Sequence, residues 1–153
     1  VTVQDVRSGL LQAEVAGRFQ VLPGRPQVIL DVAHNPHAAR ALASNLGSMP
    51  PAGKTIAVFA MFKDKDIAGV INAVKARIAH WLVADAQGAR GASAERLAAE
   101  LARAEVTAPV TQFADVAAAW HAACEIAADN DKIIVFGSFL TVAAVMRERG
   151  RKS

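Results

Sequence analysis

Apolar residues follow two alternating rhythms along this chain. Short β-branched runs read as strands buried on both faces, and the stretches between them repeat apolar residues every three or four positions, as helices do. Gln27 to Leu30, bounded by Pro26, predicts a central parallel strand with Asp31 at its carboxyl end. Asn35 is the expected N-cap and Pro36 the first residue of the next helix, which carries Ala38, Ala39, Leu42, Ala43 and Leu46 inward and stops at Gly47 and Pro50-Pro51. Lys54 to Ala60 predicts a second strand. Asp66 then caps a helix with Ile67, Val70, Ile71, Val74 and Ile78 inward. Trp81 to Ala84 is a third strand ending in Asp85, and after the glycine-bounded loop Gln87 to Gly91, Ser93 caps a helix carrying Leu97 and Leu101. Pro109 to Phe113 predicts a short strand, and Ala114 to Ala128 a helix with Val116, Trp120 and Ala123 inward. Lys132 to Phe136 is the last strand, and Gly137-Ser138 opens a helix with Val142, Val145 and Met146 on one face.

Ahead of the central strand, Thr2 caps a helix to about Glu14, with Val6, Leu10 and Leu11 on one side and Gly17 as its stop. Arg18 to Leu22 alternates like a half-buried strand, and Leu22-Pro23-Gly24 turns it into a hairpin with the central strand. The alternation predicts an α/β fold: a Rossmann-like three-layer sandwich, its mostly parallel sheet of about six strands covered by helices on both faces. Residues 1–153 form one domain on this reading.

Composition narrows the class. A chain of 153 residues with 53% hydrophobic content supports one core, and no apolar run reaches membrane-spanning length. The +3 charge is scattered apart from Arg147 to Lys152, and aromatics are few; this is no nucleic-acid surface, but it suits a phosphate-bearing ligand. The lone Cys124 excludes an internal disulfide and reads as a filler in a reducing compartment. With no secretory signal, the expected location is cytoplasmic. A chain opening on Val1 is expected to be a processed product or an excised part of something longer.

The candidate chemistry gathers after strand ends, where open α/β sheets bind ligands. Asp31 reads equally as a turn acid or as an acceptor for ribose hydroxyls. His34 and His37 are three apart but lack a third ligand at recognisable spacing, so no metal site is assigned; His34, in the turn, is the site candidate and His37 a helix-surface residue. Ser138 reads as an N-cap or as a hydroxyl facing the crevice, without the G-x-S-x-G context of a hydrolase nucleophile. Lys63-Asp64-Lys65-Asp66 is a solvated helix start or a charged loop meeting a phosphate or another domain. Arg18 is a surface strand residue or a fixed cation for phosphate. The absence of a P-loop and of a G-x-G-x-x-G after a strand argues against an autonomous NTPase and against a dinucleotide-dependent dehydrogenase.

Taken together, Gly17-Arg18-Phe19-Gln20, Asp31-Val32-Ala33-His34-Asn35-Pro36-His37, Asp64-Lys65-Asp66 and Phe136-Gly137-Ser138-Phe139 with Thr141-Val142-Ala143 resemble the C-terminal, Mur-ligase-type domain of bacterial dihydrofolate synthase/folylpolyglutamate synthase. The resemblance implies an ADP-forming ligase: ATP phosphorylates a pteroate or folate carboxylate, and the amino group of L-glutamate attacks the acyl phosphate. It implies that the P-loop, the Mg2+ ligands, a modified lysine and most of the folate pocket belong to an N-terminal ATPase domain, the expected partner of this one, and that the domain alone is inactive. By the same resemblance Arg18 reaches the nucleotide phosphates, Asp31 contacts the nucleotide and His34 lies near the reacting groups. Ser138 falls at the glutamate end of the site, and Asp64, Lys65 and Asp66 form a charged interface loop. A monomer without nucleic-acid or membrane partners is expected. The alternatives are a peptidoglycan-precursor Mur ligase and a non-catalytic nucleotide-binding module.

Overall fold

A computed structural model describes residues 19–50 and 53–151. The expected first helix and Arg18 lie outside the described residues. Six strands form one sheet: β1 (Gln20–Leu22), β2 (Gln27–Asp31), β3 (Thr55–Phe59), β4 (His80–Ala84), β5 (Val110–Phe113) and β6 (Lys132–Phe136). Their order is β1-β2-β6-β3-β4-β5, with β1 antiparallel to β2 and every other pair parallel. The helices are α1 (Pro36–Ser48), α2 (Ile67–Val74), α3 (Ala94–Arg103), α4 (Val116–Ile126) and α5 (Phe139–Arg151), with a 3-10 turn at Lys75–Arg77. The expected three-layer α/β sandwich and its hairpin are both present.

The continuous apolar runs work because each strand feeds both faces. Ile29, Ala57, Phe59, Trp81, Ile134 and Phe136 pack with α1, α2 and α3, while Leu30, Val58, Leu82, Ile133 and Val135 pack with α4 and α5. Phe59 stacks on Phe136 with centroids 4.8 Å apart and meets Trp81 edge-on at 5.4 Å, an aromatic cluster under three strands. At eight residues α2 is too short to persist alone; its buried Ile67, Val70, Ile71 and Val74 hold it, each contributing about 1.5–3 kcal/mol.

Four local expectations change. Helix α1 runs through Gly47 to Ser48, and Arg77 lies across the space where a Gly47 side chain would be, so the glycine serves close packing and not helix termination. Ile78 is buried but outside α2, since the chain tightens into the 3-10 turn after Val74. The helix expected from Ala114 starts at Val116, where the Asp115 carboxylate accepts from the Ala118 N–H at 2.8 Å. Met146, expected on one face with Val142 and Val145, is 42% exposed while those two are buried.

At the amino ends of the strands the buried Asp131 ties β3 to β6. Its Oδ1 accepts from the Lys54 N–H and its Oδ2 from the Ala128 N–H, both at 2.8 Å. These two backbone donors, Lys54 first, hold the carboxyl below the usual carboxylate range. A depressed folded-state pKa gives stability that is full above the unfolded-state value near 3.8 and is lost as pH falls through the folded value. Asp131→Asn is therefore expected to lower the unfolding free energy by about 1–2 kcal/mol at neutral pH. In urea titrations the gap from wild type should close below about pH 4; a gap constant into that range would remove the carboxylate from this role.

Candidate functional site

The site is built on three strand tips. Asp31, Phe136 and Phe59 stand in register at the carboxyl ends of β2, β6 and β3. The helices that follow leave to opposite faces, α1 and α2 to one and α5 to the other, so the loops part around the tip of β6 and a crevice opens there.

On the β2 side, Asp31 is buried, and its carboxylate accepts from the Ala33 N–H through Oδ1 at 2.9 Å and from the Phe19 N–H through Oδ2 at 3.1 Å. The second bond holds Phe19 at φ +52, a left-handed conformation that costs a non-glycine residue about 1–2 kcal/mol. Asp31 thus fastens the start of the hairpin to the crevice rim, immediately after Arg18 in sequence. Both turn acid and site acid remain compatible with this position.

His34 is exposed in the turn, with Nδ1 3.0 Å from the Val32 carbonyl oxygen. A carbonyl only accepts, so that geometry assigns the proton to Nδ1 and leaves the Nε2 lone pair of the neutral ring for a ligand. The ring separates two recesses. One, of about 360 Å³, is lined by Asp31, His34, Asn35, His37 and Asn45; the other, of about 200 Å³, by His34, Phe62, Lys65, Arg90, Ser138 and Phe139. Asn35 caps α1, accepting from the Ala38 N–H at 2.8 Å. His37 lies exposed on α1, as expected of a helix-surface residue, and borders the larger recess.

On the β6 side, Ser138 is the N-cap of α5, its Oγ accepting from the Thr141 N–H at 3.1 Å. The Thr141 hydroxyl donates to the Ala60 carbonyl at 2.9 Å, so the 2.9 Å contact between the two hydroxyls is a donation from Ser138 to Thr141. Ser138 has spent its only proton inside the fold. What it turns toward the recess is acceptor capacity and the first turn of α5, whose leading N–H groups have no intrahelical acceptor.

The 63–66 loop divides. Asp66 caps α2 by accepting from the Gly69 N–H at 2.9 Å, and Asp64 pairs with Arg90 at 2.9 Å, a hydrogen bond that lowers the Asp64 carboxyl below its ordinary range. Only Lys65 of the three expected loop residues lines the smaller recess. The sequence reading missed Arg90 and Thr141. An S-x-x-T spacing at a helix start marked Thr141; a cation in a glycine-bounded loop after a strand was the signal for Arg90. A larger recess of about 570 Å³, bordered by Trp120, Cys124 and Arg149, lies elsewhere and shares no residue with the crevice. Among the described residues no group of three or more His, Cys, Asp and Glu side chains is placed to hold a metal ion.

The chain is similar to known proteins along nearly its whole length. The Escherichia coli K12 dihydrofolate synthase/folylpolyglutamate synthase is 42% identical over 146 residues, covering 95% of this chain and 33% of that protein. The solved structure of E. coli FolC in complex with DHPP and ADP superposes with a TM-score of 0.84 at 41% identity, over 100% of this chain and 36% of that one. A bifunctional folylpolyglutamate synthase/dihydrofolate synthase solved with Mn, AMPPNP and L-glutamate gives 0.80 at 45% identity over 98% and 35%. The chain thus spans about a third of the length of the curated relatives it matches. Since the family profile described as "Mur ligase, glutamate ligase domain" matches residues 17–139, which contain the whole crevice, the chain belongs to the Mur ligase glutamate ligase domain family.

Proposed function

We propose that this domain is the closing half of an ADP-forming ligase that adds L-glutamate to dihydropteroate or a reduced folate through an acyl phosphate. The observation that carries the reading is a 42% identical match to a dihydrofolate synthase/folylpolyglutamate synthase along 95% of the chain. The strand-tip crevice supports it, and so do relatives solved with ADP and DHPP or with AMPPNP and L-glutamate. The nucleotide-binding domain is the partner, and closure would exclude water from the labile acyl phosphate. In that closed state Arg18 meets the nucleotide phosphates. Asp31 holds the adjoining hairpin at the rim beside the nucleotide, His34 serves the attacking amine, and Ser138 with the first turn of α5 borders the glutamate. Asp64, Lys65 and Asp66 form the loop at the domain interface. ATP and L-glutamate as substrates fit a cytoplasmic protein, and no helix among the described residues is long and apolar enough to cross a membrane. The magnesium sites belong to the partner domain on this reading.

ADP release by the complete parent protein tests this. Release is expected only when a pteridine acceptor and L-glutamate are both supplied. Release with a muramyl nucleotide acceptor instead would move the reading to peptidoglycan precursors, and no release with any acceptor would leave a nucleotide-binding module.

A further inference from the structure

Ser138 and Thr141 share hydrogen bonds whose direction is set from β3. Both residues are buried, at 3% and 1% exposure. The Ala60 carbonyl only accepts, so it takes the Thr141 hydroxyl proton at 2.9 Å. Thr141 Oγ1 then receives the Ser138 proton at 2.9 Å, and Ser138 Oγ receives the Thr141 N–H at 3.1 Å. A hydroxyl oxygen has two lone pairs. One on Ser138 is taken by that N–H, and the other is left for the recess of about 200 Å³ that Ser138 lines. The other polar side chains on that wall are His34, whose Nε2 also accepts, and Lys65 and Arg90, which only donate. The side-chain acceptors of the recess are therefore His34 and Ser138, and Ser138 is purely an acceptor only while Thr141 holds its proton.

We propose that Thr141 is a positioning residue that sets the polarity of Ser138, so that the Ser138 oxygen receives an N–H of the incoming amine and turns away groups that only accept. This rests on the reading above, that an amino acid brings its amine into this crevice. A serine with a free proton would rotate it toward any carbonyl or carboxylate oxygen in the recess and would meet an ammonium ion equally well with its lone pair, so it would not discriminate. With its proton committed to Thr141, Ser138 meets an oxygen ligand lone pair to lone pair and an ammonium ion with a ready acceptor. Thr141 touches no ligand in this scheme; it acts only through Ser138.

The test is steady-state ADP release by the complete parent protein carrying Thr141→Val, with 2-oxoglutarate as inhibitor against L-glutamate. That probe keeps both carboxylates of glutamate and puts a carbonyl oxygen, an acceptor, where the amine stands. Valine keeps the shape of Thr141 and its N–H on Ser138 but returns the Ser138 proton to the recess. The two ligands should therefore move in opposite directions: the KM for glutamate up by about 10-fold, as weakening of a hydrogen bond to a charged group implies, and the Ki of 2-oxoglutarate down by about 3-fold or more, with the KM for ATP unchanged. Thr141→Ser, which keeps the hydroxyl, should restore both. Added to Ser138→Ala, Thr141→Val should change the glutamate KM by no more than about 2-fold, because its route of action is already gone. Ser138→Ala alone reads the same polarity with Thr141 intact, and it too should tighten 2-oxoglutarate. A merely structural role weakens both ligands together and adds to Ser138→Ala; that pattern overturns the proposal, as does an unchanged Ki for 2-oxoglutarate in either single variant. Wild-type ADP release that ignores glutamate would overturn the functional reading and this proposal with it, whereas glutamate-dependent release with an indifferent Thr141→Val overturns this proposal alone.

Discussion

Gly137→Ala is expected to lower the unfolding free energy of the domain by roughly 3 kcal/mol or more, the combined cost of a strained backbone and an overpacked contact. Gly137 has φ +121, a conformation that side-chain-bearing residues rarely adopt. A Cβ built on it would also collide with the carbonyl oxygen of Ala60, which is backbone at the end of β3 and has no rotamer in which to retreat. That same oxygen accepts the Thr141 hydroxyl, so a displaced Ala60 would break the chain of hydroxyls running from Ser138 through Thr141. The strain therefore falls on the junction that aims the first turn of α5 at the crevice. A urea midpoint measured with the slope will show it; a variant within about 1 kcal/mol of wild type would mean that the turn relaxes freely.

This junction also shows where a sequence can and cannot be read. Strand β6, the glycine and the capping serine were all legible, because each follows from a local rule: a β-branched run, a residue free to take positive φ, a hydroxyl at a helix start. The proton count on Ser138 was not, because it depends on Ala60, 81 positions from Thr141 in sequence. Asp31 fails in the same way. Its place at the end of β2 follows from periodicity, whereas its bond to the Phe19 N–H, 12 residues back, appears only once the hairpin has folded over the strand tip. Arg90 was passed over as part of a glycine-bounded loop, since nothing between residues 87 and 91 announces that Phe62 and Asp64 lie beside it. Periodicity fixes which residues reach the carboxyl edge of the sheet; loop-to-loop contacts decide which of them share a recess. The packing reason for Gly47 is non-local too, since the Arg77 side chain that covers it belongs to the next helix-turn unit.

His34→Ala in the complete parent protein is expected to lower kcat by about 100-fold or more, the low end of what a positioned general base contributes, with the KM for glutamate changed only a few-fold. The argument starts from the Val32 carbonyl, 3.0 Å from Nδ1. That contact fixes which ring nitrogen holds the proton and orients the imidazole, so the Nε2 lone pair stands at the boundary between the recess that Asp31 borders and the recess that Arg90 borders. On the proposed reading, an amine that enters as an ammonium ion must lose a proton before it can attack an acyl phosphate, and His34 borders both spaces where the two reactants would meet. Glutamine at this position separates proton transfer from simple hydrogen bonding, because its amide can accept a hydrogen bond but cannot carry the proton away. His34→Gln should therefore be as slow as His34→Ala. Recovery by His34→Gln to within about 3-fold of wild type would reduce His34 to a hydrogen-bonding post that orients the amine, and equal loss in both variants would make it the group that takes the proton.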